Sequence, residues 1–281
     1  MTRLLYIALA ATLLAACSSA PTPRPATEEG AIQWSQRGED AYRRGDLNGA
    51  LAAYEQAFKL YASVEHNEGS ASQLLNIATV YYRLGDRARA SQTLDQILTA
   101  RGVATPARFK AEAAYRRAYF DFESGDMAGA NSWLGRAQEY CVEAACDVGG
   151  RLSNLKAQLA LARDDIASAE LEARRGAELN RRGADAVEEA NSLRLLAEIA
   201  VRRGQHAAAL AFYEQALTLD KNAAEPRKIV LDLLGASRSL AAQGKSAAAG
   251  DYAERARRVA ESVGDEQGQQ QAAALLKSLS R

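Results

Sequence analysis

Between residues 31 and 257, small and apolar positions recur with the period of a helix. Six segments carry Gly or Asp, then four residues, then Ala: Gly45 to Ala50, Gly85 to Ala90, Gly125 to Ala130, Asp164 to Ala169, Gly204 to Ala209 and Gly244 to Ala249. Successive alanines lie 40, 40, 39, 40 and 40 residues apart. A small residue stands seven places before each Gly or Asp: Gly38, Ala78, Ala118, Ala157, Ala197 and Ser237. Apolar residues stand four and seven places after the Ala, as in Tyr54 and Ala57, Leu94 and Ile97, Leu134 and Ala137, and Tyr213 and Ala216. That spacing makes one stripe along a helix. Each unit is therefore two helices joined at the Gly, which permits the left-handed turn that ends the first. Asp46, Asp86, Asp126 and Asp165 follow, where each can cap the second. A final amphipathic stretch over 266–280 places Ala272, Leu275, Leu276 and Leu279 on one stripe, the form of a helix that closes an array.

The unit resembles the tetratricopeptide repeat. Trp34, Gly38, Gly45, Asp46, Leu47, Ala50, Tyr54 and Ala57 sit at that family's positions in the first repeat. The period of 40 exceeds the family's ~34. Repeat four departs further, with Asp164 for Gly and Gly176 where Ala is expected, so a bent or loose repeat is expected there. The resemblance implies an all-α fold: a right-handed α-solenoid of six tetratricopeptide-like helix pairs over 31–264, closed by a capping helix over 265–281.

Residues 1–17, MTRLLYIALAATLLAAC, have a basic start at Arg3 and an apolar run from Leu4 to Ala16. That run is shorter than the ~20 residues needed to span a bilayer and reads as a signal peptide. Leu14-Ala15-Ala16-Cys17 resembles a lipobox, which implies cleavage after residue 16 and a lipid on Cys17. Ser18 then implies export to a bacterial outer membrane, facing the periplasm. Residues 17–30, rich in Pro, Ser and Thr, read as a disordered tether.

Composition adds exclusions. Net charge is +0, with 35 basic and 35 acidic residues, so no nucleic-acid partner is expected. The 2 His, His66 and His206, lie in different repeats without a metal-ligand partner, and no phosphate loop or nucleophile motif occurs. Neither enzyme activity nor a cofactor or metal is expected. Of the 3 Cys, Cys17 carries the lipid, which leaves Cys141 and Cys146 as a possible short-loop disulfide in an oxidising compartment, or as free thiols.

In the tetratricopeptide family the first helices line a concave face that takes up peptides. The resemblance places Tyr42, Leu75, Tyr82, Tyr115, Tyr119, Phe122, Asn154, Gln158, Arg194 and Arg238 there. The groove so drawn has an aromatic half and a polar, partly cationic half, suited to an extended segment with apolar anchors and an acidic end. The same aromatics at helical spacing equally fit inter-repeat core. The functional expectation is a membrane-anchored protein–protein scaffold of the envelope, in pilus, secretion or outer-membrane assembly, with envelope proteins or peptides as partners. The alternatives are a self-associating structural lipoprotein and an accessory that binds small ligands or cell-wall fragments. Oligomeric state stays open.

Overall fold

The computed structural model describes residues 25–99, 105–144 and 147–280. Cys17, the signal peptide and most of the tether lie outside the described residues. Those described form helices and turns only. The chain divides into two compact units, 1–73 and 74–281. The first contains α1 (Ala26–Arg43), α2 (Leu47–Ser63) and the start of α3 (Asn67–Arg83). The second contains the rest of α3, then α4 (Arg87–Thr99), α5 (Ala107–Glu123), α6 (Met127–Ala144), α7 (Gly149–Ala162), α8 (Ile166–Arg182) and α9 (Ala186–Arg202). It ends with α10 (His206–Asn222), α11 (Pro226–Ala242), α12 (Ser246–Ser262) and α13 (Glu266–Leu279). No described helix is long and apolar enough to cross a membrane.

One expectation needs correction. Residues 26–30, assigned to the tether, are the first turn of α1. Pro25 stands at the cap position before the helix, Glu28 and Glu29 sit at the helix's positive end, and Ala31 is buried.

The helices of a pair pack on one another, α5 on α6, α7 on α8, α9 on α10 and α11 on α12, and α13 covers α12 and α11. The reason is visible at the signature positions. Ala78, Ala118, Ala157 and Ala197 are fully buried, as are Ala50, Ala90, Ala130, Ala169, Ala209 and Ala249. Small side chains let the backbones of a pair approach. In the last pair the Ser237 hydroxyl donates to the Ala249 carbonyl at 2.7 Å, joining the two signature positions directly. Larger residues fill the space between pairs. Leu152, Leu155 and Leu159 on α7 pack with Ala118 and Leu134, and Leu193 and Leu196 on α9 pack with Ala169 and Ala173.

The turns repeat at half the sequence period. From Asp164 onward a residue with positive φ occurs every 20 positions: Asp164, Ala184, Gly204, Ala224, Gly244 and Gly264. In each, the next amide reaches back five residues to the helix it leaves, as from Asp165 to the Ala160 carbonyl and from Asp185 to the Asn180 carbonyl, both 2.9 Å. The four expected capping aspartates all cap. Asp46, Asp86 and Asp126 accept from Gly49, Arg89 and Gly129 at 2.9 Å, and Asp165 accepts from Ser168 at 3.0 Å. Asp185 and Asp265 cap in the same way, and the Nδ1 of His66 accepts from the Gly69 amide.

Repeat four is not loosely packed at Gly176. Gly176 is buried because a polar group occupies the place of its side chain. A Cβ there would lie 2.4 Å from the Asn154 amide oxygen. Gly150 makes the same room for Asn180, whose oxygen would be 1.8 Å from an added Cβ. Ser192 donates to Asn154, and Asn180 donates to Ser192, so one polar layer ties α7, α8 and α9 together.

A candidate binding groove on the first helices of pairs three to six

Within the second unit a groove of about 560 Å³ runs across α5, α7, α9 and α11. Six of the sequence-assigned residues line it: Tyr115, Tyr119, Asn154, Gln158, Arg194 and Arg238. They converge because first helices of successive pairs lie side by side, α5 against α7 and α7 against α9.

Four assigned residues lie elsewhere. Leu75 is buried in the core with Leu94 and Ile97, which corrects its assignment to the groove. Tyr82 stacks on Phe120, ring centroids 4.0 Å apart and planes 3° from parallel. Phe122 packs against the core around Leu134. Tyr42 belongs to the first unit, on α1. Groove and core are not exclusive for the remaining tyrosines, since Tyr115 and Tyr119 pack on that same core and still line the groove. Burial pushes the Tyr119 hydroxyl up to about 12, helped by Glu123, and burial raises Tyr115 as well. Both remain neutral hydrogen-bonding rings near neutral pH.

Behind this aromatic wall stands a buried ion network. Arg151 clasps Glu112 with both terminal nitrogens, at 2.9 and 2.8 Å, and Arg116 Nε donates to the same carboxylate at 2.8 Å. Arg116 also donates to the Leu75 carbonyl at 2.7 Å, so α3, α5 and α7 are linked. Arg151 lies over the Tyr115 ring at 5.3 Å. Burial works to raise Glu112, but the two guanidiniums outweigh it and hold its carboxyl below the usual range.

Of the opposite wall, sequence reasoning found only Arg238. Lys228, Leu231, Gly235 and Arg238 form one face of α11, by their spacing of three, four and three, and all line the groove. Leu231 is 52% exposed there, a large apolar side chain facing open solvent between two cations. Gly235 is required by Tyr213, whose ring would lie 2.4 Å from any Cβ. Tyr213 thus reaches the groove from the second helix of its pair, α10.

Under Arg194 lies a charge cluster that no sequence pattern announced. Arg194 Nη1 donates to Asp220, on α10, and to Asp232, on α11, the latter at 3.0 Å. Its Nη2 donates to the Asn191 side-chain oxygen. Both aspartates are fully buried, and each keeps one oxygen, Asp220 Oδ1 and Asp232 Oδ2, without a hydrogen-bond donor. Two buried carboxylates facing one guanidinium carry an excess negative charge, which a protein interior penalises. Burial accordingly raises Asp232 to about 7, against the pull of Arg194, and Asp220 contributes both its charge and a hydrogen bond.

The described residues contain no group of His, Cys, Asp and Glu able to hold a metal. Cys141, on α6, is disulfide-bonded, and Cys146 lies outside the described residues.

No family model matches the sequence, and no curated protein matches it. Solved structures do. A STAND signal-transduction ATPase with a tetratricopeptide repeat sensor from Pyrococcus horikoshii is 15% identical, with a TM-score of 0.67 over 89% of this chain. The chain spans 37% of that protein. A Rap protein in complex with Competence and Sporulation Factor is 15% identical, with a TM-score of 0.59 over 90% of this chain and 71% of its own. PilF of Pseudomonas aeruginosa is 16% identical, with a TM-score of 0.57 over 89% of this chain and 99% of its own. The fold is that of the tetratricopeptide repeat: an all-α array of helix pairs.

Proposed function

We propose that this chain is a protein-binding scaffold of the bacterial envelope, anchored through a lipid on Cys17, which receives an extended polypeptide segment in the groove of α5, α7, α9 and α11. The observation that carries the reading is Leu231, an apolar side chain 52% exposed and set between Lys228 and Arg238, facing a wall of Tyr115 and Tyr119 across 560 Å³ of open groove. Apolar anchors enter between aromatic rings, and the cationic edge of α11 suits carboxylates. Interface energy concentrates in such aromatic and Arg positions. The likeness to PilF of Pseudomonas aeruginosa and to PilW, a widely conserved type IV pilus biogenesis factor, supports a role in pilus, secretion or outer-membrane assembly. The signal-peptide and lipobox-like residues 1–17 support the anchor. No reaction is assigned to the groove: it binds.

Cross-linked capture of the full-length chain from its own envelope tests this. The paired variants are Leu231→Asp/Arg238→Glu in the groove and Leu171→Asp on α8, whose side chain is 69% exposed and does not line the groove. A partner recovered with the native chain and the α8 variant, and lost with the groove variant, supports the assignment. Equal recovery with all three removes the groove from the interaction.

A further inference from the structure

Arg194 has five N–H donors, of which three are engaged by Asp220, Asp232 and Asn191. Two remain, on a side chain that is 14% exposed and lines the groove floor. Whether those donors can receive an anion depends on the carboxylates behind them. With both aspartates ionised, the cluster beneath the groove carries one net negative charge and repels a ligand carboxylate. With one proton between them the cluster is neutral, and the outer edge of the guanidinium is free to bind.

Resting on the reading of the groove as a peptide site, we infer that an acidic side chain of the bound segment seats on Arg194 and that the Asp220–Asp232 pair takes up one proton as it does. The geometry carries this: one guanidinium, two fully buried carboxylates, and an unpartnered oxygen on each. The rise of Asp232 to about 7, caused first by burial, places the exchange within the neutral range. The charged groups that reach the pair come from the helices around it. Arg194 on α9 and Asp220 on α10 act on Asp232 directly. Tyr213 on α10 feels both Asp232 and Arg194, along with Glu198 of α9 and Arg238 of α11. On α12, Glu254 and Glu261 are both paired with Arg257, and Arg238 hydrogen-bonds Gln271 of α13. Lys228 and Arg238 on α11 supply the remaining positive charge along the groove wall, opposed by Glu188 and Glu198 on α9. By linkage, proton uptake on binding means tighter binding as pH falls.

Two measurements on the full-length chain separate this inference from the reading it rests on. Carboxyl-carbon NMR of Asp-labelled protein, with Asp220→Asn and Asp232→Asn for assignment, reads the pair without any ligand. One proton retained to about pH 7 is expected, in line with the raised Asp232. Both carboxyls ionised below the usual carboxylate range would overturn the inference and leave the groove standing. Binding is read by fluorescence anisotropy with a labelled octapeptide alternating Leu and Glu, and with its Leu-Lys counterpart. The acidic peptide should bind about fivefold or more tightly on going from pH 8 to pH 6. Asp232→Asn, which mimics the protonated pair, should bind with the low-pH affinity throughout. An acidic peptide whose affinity does not change with pH overturns the proton coupling alone. Preference for the Lys peptide, or failure of both peptides to bind at either pH, overturns the acidic seat and counts against the groove reading as well.

Discussion

The amide oxygen of Asn154 lies where the side chain of residue 176 would begin, 2.4 Å from a Cβ built on Gly176. Asn154 has nowhere to go. It accepts from Ser192 at 2.6 Å and donates to the Glu188 carbonyl at 3.2 Å. The same Cβ would meet the Gly150 carbonyl and the Ser192 hydroxyl, each at 3.2 Å. Gly176→Ala restores the residue expected at this position in the tetratricopeptide pattern, yet it should destabilise the chain by about 1–3 kcal/mol through overpacking. Chemical denaturation measures this. The double variant Gly176→Ala/Asn154→Ala should recover part of the loss, since the residues are in contact and their effects do not add. Independent effects would mean that the polar layer does not hold Gly176 open.

The turns yield a prediction of opposite sign. Ala184 and Ala224 adopt positive φ, at 56° and 55°, in exposed turns between pairs. A left-handed conformation costs a non-glycine residue about 1–2 kcal/mol, and the greater freedom of unfolded glycine takes back part of any gain. Ala224→Gly should therefore stabilise the chain by up to about 1 kcal/mol. Gly204→Ala, with φ 70° and no atom within 4 Å of an added Cβ, should cost about as much through the backbone alone. Melting curves of the two variants displaced in the same direction would refute the account.

These turns show what was legible in the chain and what was not. The turn inside each pair carries Gly in five of six cases and is legible at Gly45, Gly85, Gly125, Gly204 and Gly244. The turn between pairs has the same geometry but carries Glu65, Ala184 and Ala224, residues with no turn signal of their own. The true half-period was hidden for that reason. The signature alanines were legible because close helix crossing tolerates little else. Leu75 departs from the expected face because that side of α3 packs inward in this pair, with Leu94 and Ile97. The Arg194 cluster was not legible at all. Asp220 ends one helix, Asp232 lies in the next, and only the packing of α9, α10 and α11 brings them to one guanidinium.

Stability should report that cluster directly. The raised folded-state pKa of Asp232, about 7 against an ordinary 3.8, means the folded chain binds the proton more tightly than the unfolded chain. Its contribution is therefore fully present at pH values below the ordinary carboxylate value and is lost as pH rises through about 7. Asp232→Asn keeps the shape and donates a hydrogen bond at every pH. The variant should equal the native chain in acid and exceed it on the alkaline side of neutrality. Denaturation midpoints at several pH values measure the difference. A constant offset between the two proteins would show that Asp232 titrates as an ordinary carboxylate.

Glu112 should behave in the reverse manner. Its carboxyl is held low by Arg116 and Arg151, which outweigh the effect of burial, so its contribution is present above the ordinary glutamate value and lost as pH falls through the lowered one. Glu112→Gln preserves the shape, keeps one acceptor, and leaves two guanidiniums without their counter-charge. Removing one partner from a fully buried pair costs about 3–5 kcal/mol. Here the arginine side chains are 23% and 25% exposed, so solvent screens part of the loss and about 2 kcal/mol is expected at neutral pH. The deficit should shrink toward zero in acid, where the native carboxylate is protonated too. Because Arg151 also lies over Tyr115, the variant should loosen the aromatic wall of the groove. Faster ring flipping of Tyr115 by NMR would register this, and an unchanged ring with a full stability loss would confine Glu112 to holding α5 against α7.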